Sequence, residues 1–171
     1  MLENILLSHA FQAFWLFLPA GVANMTPPIA NKIPVLNRWK TPLDLGKSYK
    51  GKRIFGDNKT WRGVAYGIIT AGIVRSLQLY PTFAGHLSTT TIVLNVLFGM
   101  LMGAGALFGD AIESFFKRRI GVGSGKSWFP FDQTDYIIGA LIITYPLLQL
   151  PLYLILWVFG IYFGLHLVVS Y

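Results

Sequence analysis

The chain has 171 residues, 54% of them hydrophobic and only 12% charged, with fourteen Lys and Arg against seven Asp and Glu. An ordinary soluble domain carries roughly a quarter charged residues, so this composition excludes one and points to lipid as the solvent. The absence of cysteine excludes disulfides, thiolate nucleophiles and cysteine-ligated metals.

A hydrocarbon core of about 30 Å takes ~20 apolar residues per helix. Five runs supply them: 5–23, 63–80, 90–108, 136–150 and 152–169. The expected fold is an all-α polytopic membrane protein, one membrane domain over 1–171, with five transmembrane helices and two large cytoplasmic loops at 24–62 and 109–135. The first run follows Met1-Leu2-Glu3-Asn4, which has no basic leader region, and is read as a retained span.

The first loop is dense in phosphate donors. Between Gly51 and Gly63 it offers Lys52, Arg53, Lys59, Thr60 and Arg62, together with Asp57 and Asn58. Lysine binds phosphate as a point charge and arginine as a planar fork, and a triphosphate would use both. Trp61 is read first as an interface anchor and second as a base-stacking platform. The second span carries Arg75, whose long stem is expected to snorkel to the outer interface.

The third span ends in a glycine-rich stretch in which Gly99 with Gly103 and Gly105 with Gly109 would admit a close neighbour. If the helix continues, Asp110, Glu113, Ser114 and Lys117 share one face. Next, 120–128 contains Gly-Lys-Ser but is not a P-loop. Ile120 stands where the first glycine is needed, and no strand precedes it. What remains is a flexible segment offering backbone N–H groups and Lys126 to a phosphate, or a plain connector.

Asp132 and Asp135 open the fourth run, with Asp132 a candidate N-cap. Two acids exceed what a cap requires, and with Asp110 they form an oxygen cage suited to Mg²⁺. The uncharged stretch 136–169 would be about 50 Å long as one helix, so it is expected to fold back near Pro146, Gln149 and Pro151.

Of the fourteen bases, nine lie in 32–62 and four in 117–126; six of the seven acids lie in or beside the same two loops. The positive-inside rule makes that face cytoplasmic, with the N-terminus outside and the C-terminus inside. A polybasic membrane anchor does not need those acids, and an anion transporter would place charge inside several spans.

The pattern Gly-Lys-Arg-Ile-Phe-Gly-Asp-Asn-Lys-Thr-Trp-Arg-Gly63, then Gly109-Asp110 through Phe-Lys-Arg-Arg-Ile-Gly-Val122, then Asp132-Gln-Thr-Asp135 with Gly139, resembles the archaeal CDP-archaeol synthases. The resemblance runs from Asn24 to Gly139. It is similar at greater distance to phosphatidate cytidylyltransferases, which act on ester lipids: Ser114-Phe-Phe-Lys-Arg118 and the aspartate pair fit their signature, while its Lys-Asp and His-Gly-Gly elements are missing and Gln133 replaces an arginine.

The resemblance implies a Mg²⁺-dependent cytidylyltransferase at the cell membrane. CTP and a membrane-embedded isoprenoid ether-lipid phosphate are the substrates it implies, and nucleic acid is not a partner. It implies Asp132, Asp135 and Lys117 as catalytic residues and Asp110, Asp132 and Asp135 as metal ligands. Asp57, Asn58, Lys59, Thr60, Arg62, Lys117, Arg118 and Lys126 are the expected CTP and phosphate contacts.

Overall fold

The computed structural model describes residues 2–83 and 88–170. Five helices carry the chain: α1 Leu2–Lys32, α2 Trp61–Phe83, α3 Thr89–Ile120, α4 Phe131–Leu148 and α5 Leu152–Ser170. By length and composition, α1, α3 and α5 are each apolar enough to cross a membrane. Their lateral faces are greasy. On α3, Leu94, Leu97, Leu101, Phe108, Ile112, Phe116 and Ile120 are all exposed at helical spacing. An apolar stripe of that length is stable only against lipid or another apolar surface.

Two helices outrun the apolar runs that mark them in sequence. α1 continues past residue 23 through Pro27 and Pro28 to Lys32. There the Thr26 hydroxyl oxygen lies 2.8 Å from that of Thr70 on α2, which ties the proline-containing turn to its neighbour. α3 continues past residue 108 to Ile120 and stops at Gly121, whose φ of 87° and N–H to the Lys117 carbonyl make a left-handed cap. The expected fold-back occurs at Gln149, where a left-handed residue donates its N–H to the Tyr145 carbonyl before Pro151 starts the next helix.

Glycine sets the packing of α3. A Cβ on Gly105 would lie 2.8 Å from the Gly139 carbonyl oxygen of α4, and one on Gly103 would lie 2.6 Å from the Ala71 Cβ of α2. The core around these contacts holds Phe17, Met102, Ala106, Ile137, Ala140 and Val158. Arg75 does not snorkel. It is half-buried and donates to Gln78 (3.3 Å) and to Asn95 on α3 (3.2 Å), while Gln78 donates to the Trp15 carbonyl of α1. Three helices are cross-linked by these bonds, although the Arg75 Nε keeps no partner among the described residues.

Candidate active site

The first loop is ordered by one carboxylate. Asp44 is buried and accepts from the Gly46, Phe55 and Gly56 backbone N–H groups at 3.0, 3.0 and 3.1 Å and from Arg53 at 2.6 Å. Burial alone would raise its pKa; the Arg53 guanidinium and those three N–H groups outweigh that and hold it down to about 2. The segment between folds into a short hairpin, β1 Ser48–Tyr49 against β2 Lys52–Arg53. Its turn residues Lys50 and Gly51 both have positive φ, the geometry a two-residue hairpin favours. Arg119, at the end of α3, grips this hairpin by donating to the Tyr49, Lys52 and Arg53 carbonyls.

So anchored, the loop delivers Asn58, Lys59 and Thr60 to a cavity of about 900 Å³. Asn58 donates to Ser124 Oγ at 3.0 Å, which joins the first loop to the glycine-rich segment and its Lys126. Lys59 Nζ lies 2.5 Å from Asp110. The Thr60 hydroxyl lines the cavity but accepts the Gly63 N–H at 3.1 Å, which makes it the N-cap of α2. From α3 come Asp110, Glu113, Lys117 and Arg118; from α4 come Asp132 and Gln133.

The carboxylates sort differently from the expected cage. Oxygens of Asp110, Glu113 and Asp135 lie within 4.8 Å of one another. Asp132 instead pairs with Lys117 at 2.6 Å and accepts the Trp128 N–H at 2.8 Å. The N-cap position is Pro130, so Asp132 is not the cap. Glu113 takes the third place because it sits one helical turn beyond Asp110 on the cavity face of α3. It is buried, and its Oε1, 3.4 Å from Lys117 Nζ, has no hydrogen-bond partner among the described residues. Three converging carboxylates with a spare buried oxygen are a hard donor set that fits a divalent cation such as Mg²⁺.

Two expected phosphate contacts lie elsewhere. Arg62 is only 2% exposed, and its guanidinium donates to Asn31, to Asn37 (2.7 Å) and to the Leu36 carbonyl (3.3 Å). It fastens the end of α1 to the start of α2. Asp57 points to solvent and pairs with Arg53 at 2.5 Å. Composition does not separate these two from their neighbours, because every charged residue in a dense loop looks alike until its burial and partners are known. Gln133 carries no charge to mark it in the sequence, yet it belongs to the site. It is 2% exposed, faces the cavity, and its Oε1 lacks a partner among the described residues.

The family model described as "CarS-like: CDP-archaeol synthase" matches residues 3–171. A CDP-archaeol synthase of Pyrococcus abyssi is 39% identical over 142 residues, covering 82% of this chain and 79% of that protein. One from Thermococcus onnurineus is 41% identical over 143 residues, covering 82% and 77%. A more distant one, from Pyrobaculum aerophilum, is 33% identical over 144 residues, covering 84% and 80%. A solved structure described as an intramembrane enzyme for archaeal membrane lipid biosynthesis superposes with a TM-score of 0.78 at 28% identity, covering 94% of this chain and 93% of that one.

Proposed function

The chain belongs to the CDP-archaeol synthase family, and from that membership we propose that the cavity between the two loops and α3–α4 is where CTP meets its lipid acceptor. The protein is a multi-pass membrane cytidylyltransferase of archaeal lipid synthesis, transferring CMP from CTP to an isoprenoid ether-lipid phosphate and releasing pyrophosphate. The observation that carries the site assignment is the meeting of the Asp110 and Glu113 carboxylates with Lys59 and Lys117 at one cavity, with the Asp135 carboxylate converging on the same two acids.

A phosphate oxygen of the acceptor attacks the α-phosphorus of CTP, and the bond to the pyrophosphate oxygen breaks. The nucleophile is an anion near neutral pH, so no general base is needed, and the protein's contribution is alignment and charge neutralisation. Lys59, Lys117, Arg118 and Lys126 hold the triphosphate and the charge that develops on pyrophosphate. Asn58 fixes the glycine-rich segment over them. Asp110, Glu113 and Asp135 would hold Mg²⁺, with Asp132 keeping Lys117 in place beside them. When bound, the ion would neutralise phosphate charge that the lysines alone leave unbalanced. Arg62 and Asp57 act outside this set, the first as a fastener and the second as a partner of Arg53.

The topology that suits this chemistry has five spans, the N-terminus outside and the two loops with the C-terminus in the cytoplasm. The acceptor then keeps its chains in the bilayer while CTP arrives from water. The test is pyrophosphate release by the purified protein. We expect it to require CTP, Mg²⁺ and a lipid phosphate together, to stop on chelation, and to run faster with ether-linked than ester-linked acceptor. Release without any lipid phosphate would sink the reading.

A further inference from the structure

Among the residues of α5, Leu152–Ser170, only His166 belongs to the Lys, Arg, His, Asp and Glu set. It is half-buried and lines the same cavity as Asp110, Glu113 and Lys117. Its ring lies 5.7 Å from that of Tyr136, the residue after Asp135. The hydroxyls of the two neighbouring tyrosines are already engaged: Tyr136 donates to the Tyr162 carbonyl at 2.9 Å and Tyr162 to the Phe14 carbonyl at 2.7 Å. Those bonds fix α5 against α4 and α1, and they leave the imidazole with no hydrogen-bond partner among the described residues.

Its place on α5 distinguishes it from the charged groups of the cavity, which come from α1, α3, α4 and the loops. The cavity lining joins apolar residues, Phe14 and Leu18 of α1 with Leu165 and Val169 of α5, to the acids and bases of α3, α4 and the loops. An acceptor that is a phosphate monoester on a hydrocarbon body must place its phosphate where the apolar lining gives way to the charged one. Fourteen residues beyond Leu152, at 1.5 Å each, put His166 about 21 Å along α5, near the end that faces the loops. The lysines and arginines of the cavity come from α3, the two loops and, as Lys32, the end of α1, so that on α5 His166 alone offers a donor of this class. A phosphate held against α5 needs a donor from that helix, and an imidazole has an N–H in either protonation state.

We infer that His166 is an acceptor-binding residue, donating an N–H to a phosphate oxygen of the lipid substrate and holding it at the edge of the apolar lining. The inference rests on the cytidylyltransferase reading of this cavity. Its test is steady-state kinetics of His166→Phe, which keeps a ring against Tyr136 but has no donor, and of His166→Gln, which restores one. A hydrogen bond to a charged group is strong enough that its loss should raise the KM for lipid phosphate roughly ten- to a hundredfold. The KM for CTP should stay within about twofold. His166→Gln should recover much of the loss, and the effect should persist with a short-chain, water-soluble ether glycerol phosphate, because the contact is to phosphate and not to the chain.

An unchanged lipid KM in His166→Phe overturns the inference, as does an equal rise in both KM values or a defect confined to long-chain acceptor. If His166→Phe does not fold, a wild-type lipid KM in His166→Ala overturns it equally. A wild-type protein inert toward every lipid phosphate overturns the cytidylyltransferase reading as well, which is a different result from an active wild type with an indifferent His166.

Discussion

Along the α3–α4 seam two backbones touch through Gly105, Gly109 and Gly139, whereas residues 33–60 are held to the helices mainly through side chains. The seam carries the acids of the site together with Lys117 and Arg118, and the loop carries half of the chain's bases, Lys59 among them. That division has a physical reason. Carboxylates that share a cation must be placed to within a fraction of an ångström, and a backbone locked by glycine contact leaves them little freedom. Lysines that neutralise phosphate act as point charges on flexible stems, so a loop pinned by Asp44 and Arg119 positions them well enough. Accuracy comes from the seam, and the loop adds Lys59 to the positive charge that Lys117 and Arg118 already place there.

The sharpest way to break this comparison is to remove charge from the seam without disturbing its packing. Asp135→Asn should lower CDP-lipid formation by about a hundred- to a thousandfold, the scale seen when a preorganised electrostatic contact is lost. The unfolding midpoint in denaturant should barely move. Labelled CTP incorporated into lipid measures the first and circular dichroism the second. An active Asp135→Asn protein would move the chemistry off the seam.

The second test attacks the packing and spares the charge. In Gly105→Val the new Cβ would sit 2.8 Å from the Gly139 carbonyl oxygen, which is backbone and cannot rotate away. Overpacking of this kind costs about 1–3 kcal/mol, and the carboxylates should lose their alignment with it. Equal stability and activity in the variant would mean that the seam has slack and that glycine is not what sets the acids.

Much of this division was legible in the residues. Charge clustering marked both loops, and Pro146, Gln149 and Pro151 marked the fold-back that separates α4 from α5. The failures share a cause, which is that local pattern does not reveal tertiary partners. Glu113 lay on the same stripe as Asp110, yet only the approach of α4 shows that it, and not Asp132, joins Asp135. The prolines at 27 and 28 read as the start of a loop because their packing against α2 lies far away in sequence. Arg62 looked like its neighbour Lys59 because its partners, Asn31, Leu36 and Asn37, sit across a loop whose folding cannot be inferred from composition.

Arg62 and Lys126 therefore make a paired test of the loop side. Lys126→Ala should raise the KM for CTP about tenfold, near 1.4 kcal/mol, and leave stability unchanged. Arg62→Met should do the reverse, lowering the unfolding midpoint while the folded fraction keeps its KM. If Arg62→Met raises the KM for CTP without loss of stability, the fastening role is wrong and Arg62 contacts nucleotide as Lys126 does.

The smallest effect near neutral pH concerns the peg that holds the loop. Asp44 has its pKa lowered from 3.8 to about 2, so its charge-dependent contribution to stability is complete above the ordinary value and is lost as pH falls through the depressed one. Wild type and Asp44→Asn should therefore differ in unfolding midpoint by a constant amount from pH 8 down to about 5. The gap should close between the ordinary and the depressed value, as protonation deprives Arg53 and the three backbone N–H groups of their anion. Closure near pH 6 would mean that the carboxylate is not held by those donors. A gap still open at pH 2 would mean that Asp44 orders the loop by shape, and the loop would then resemble the seam in depending on fit more than on charge.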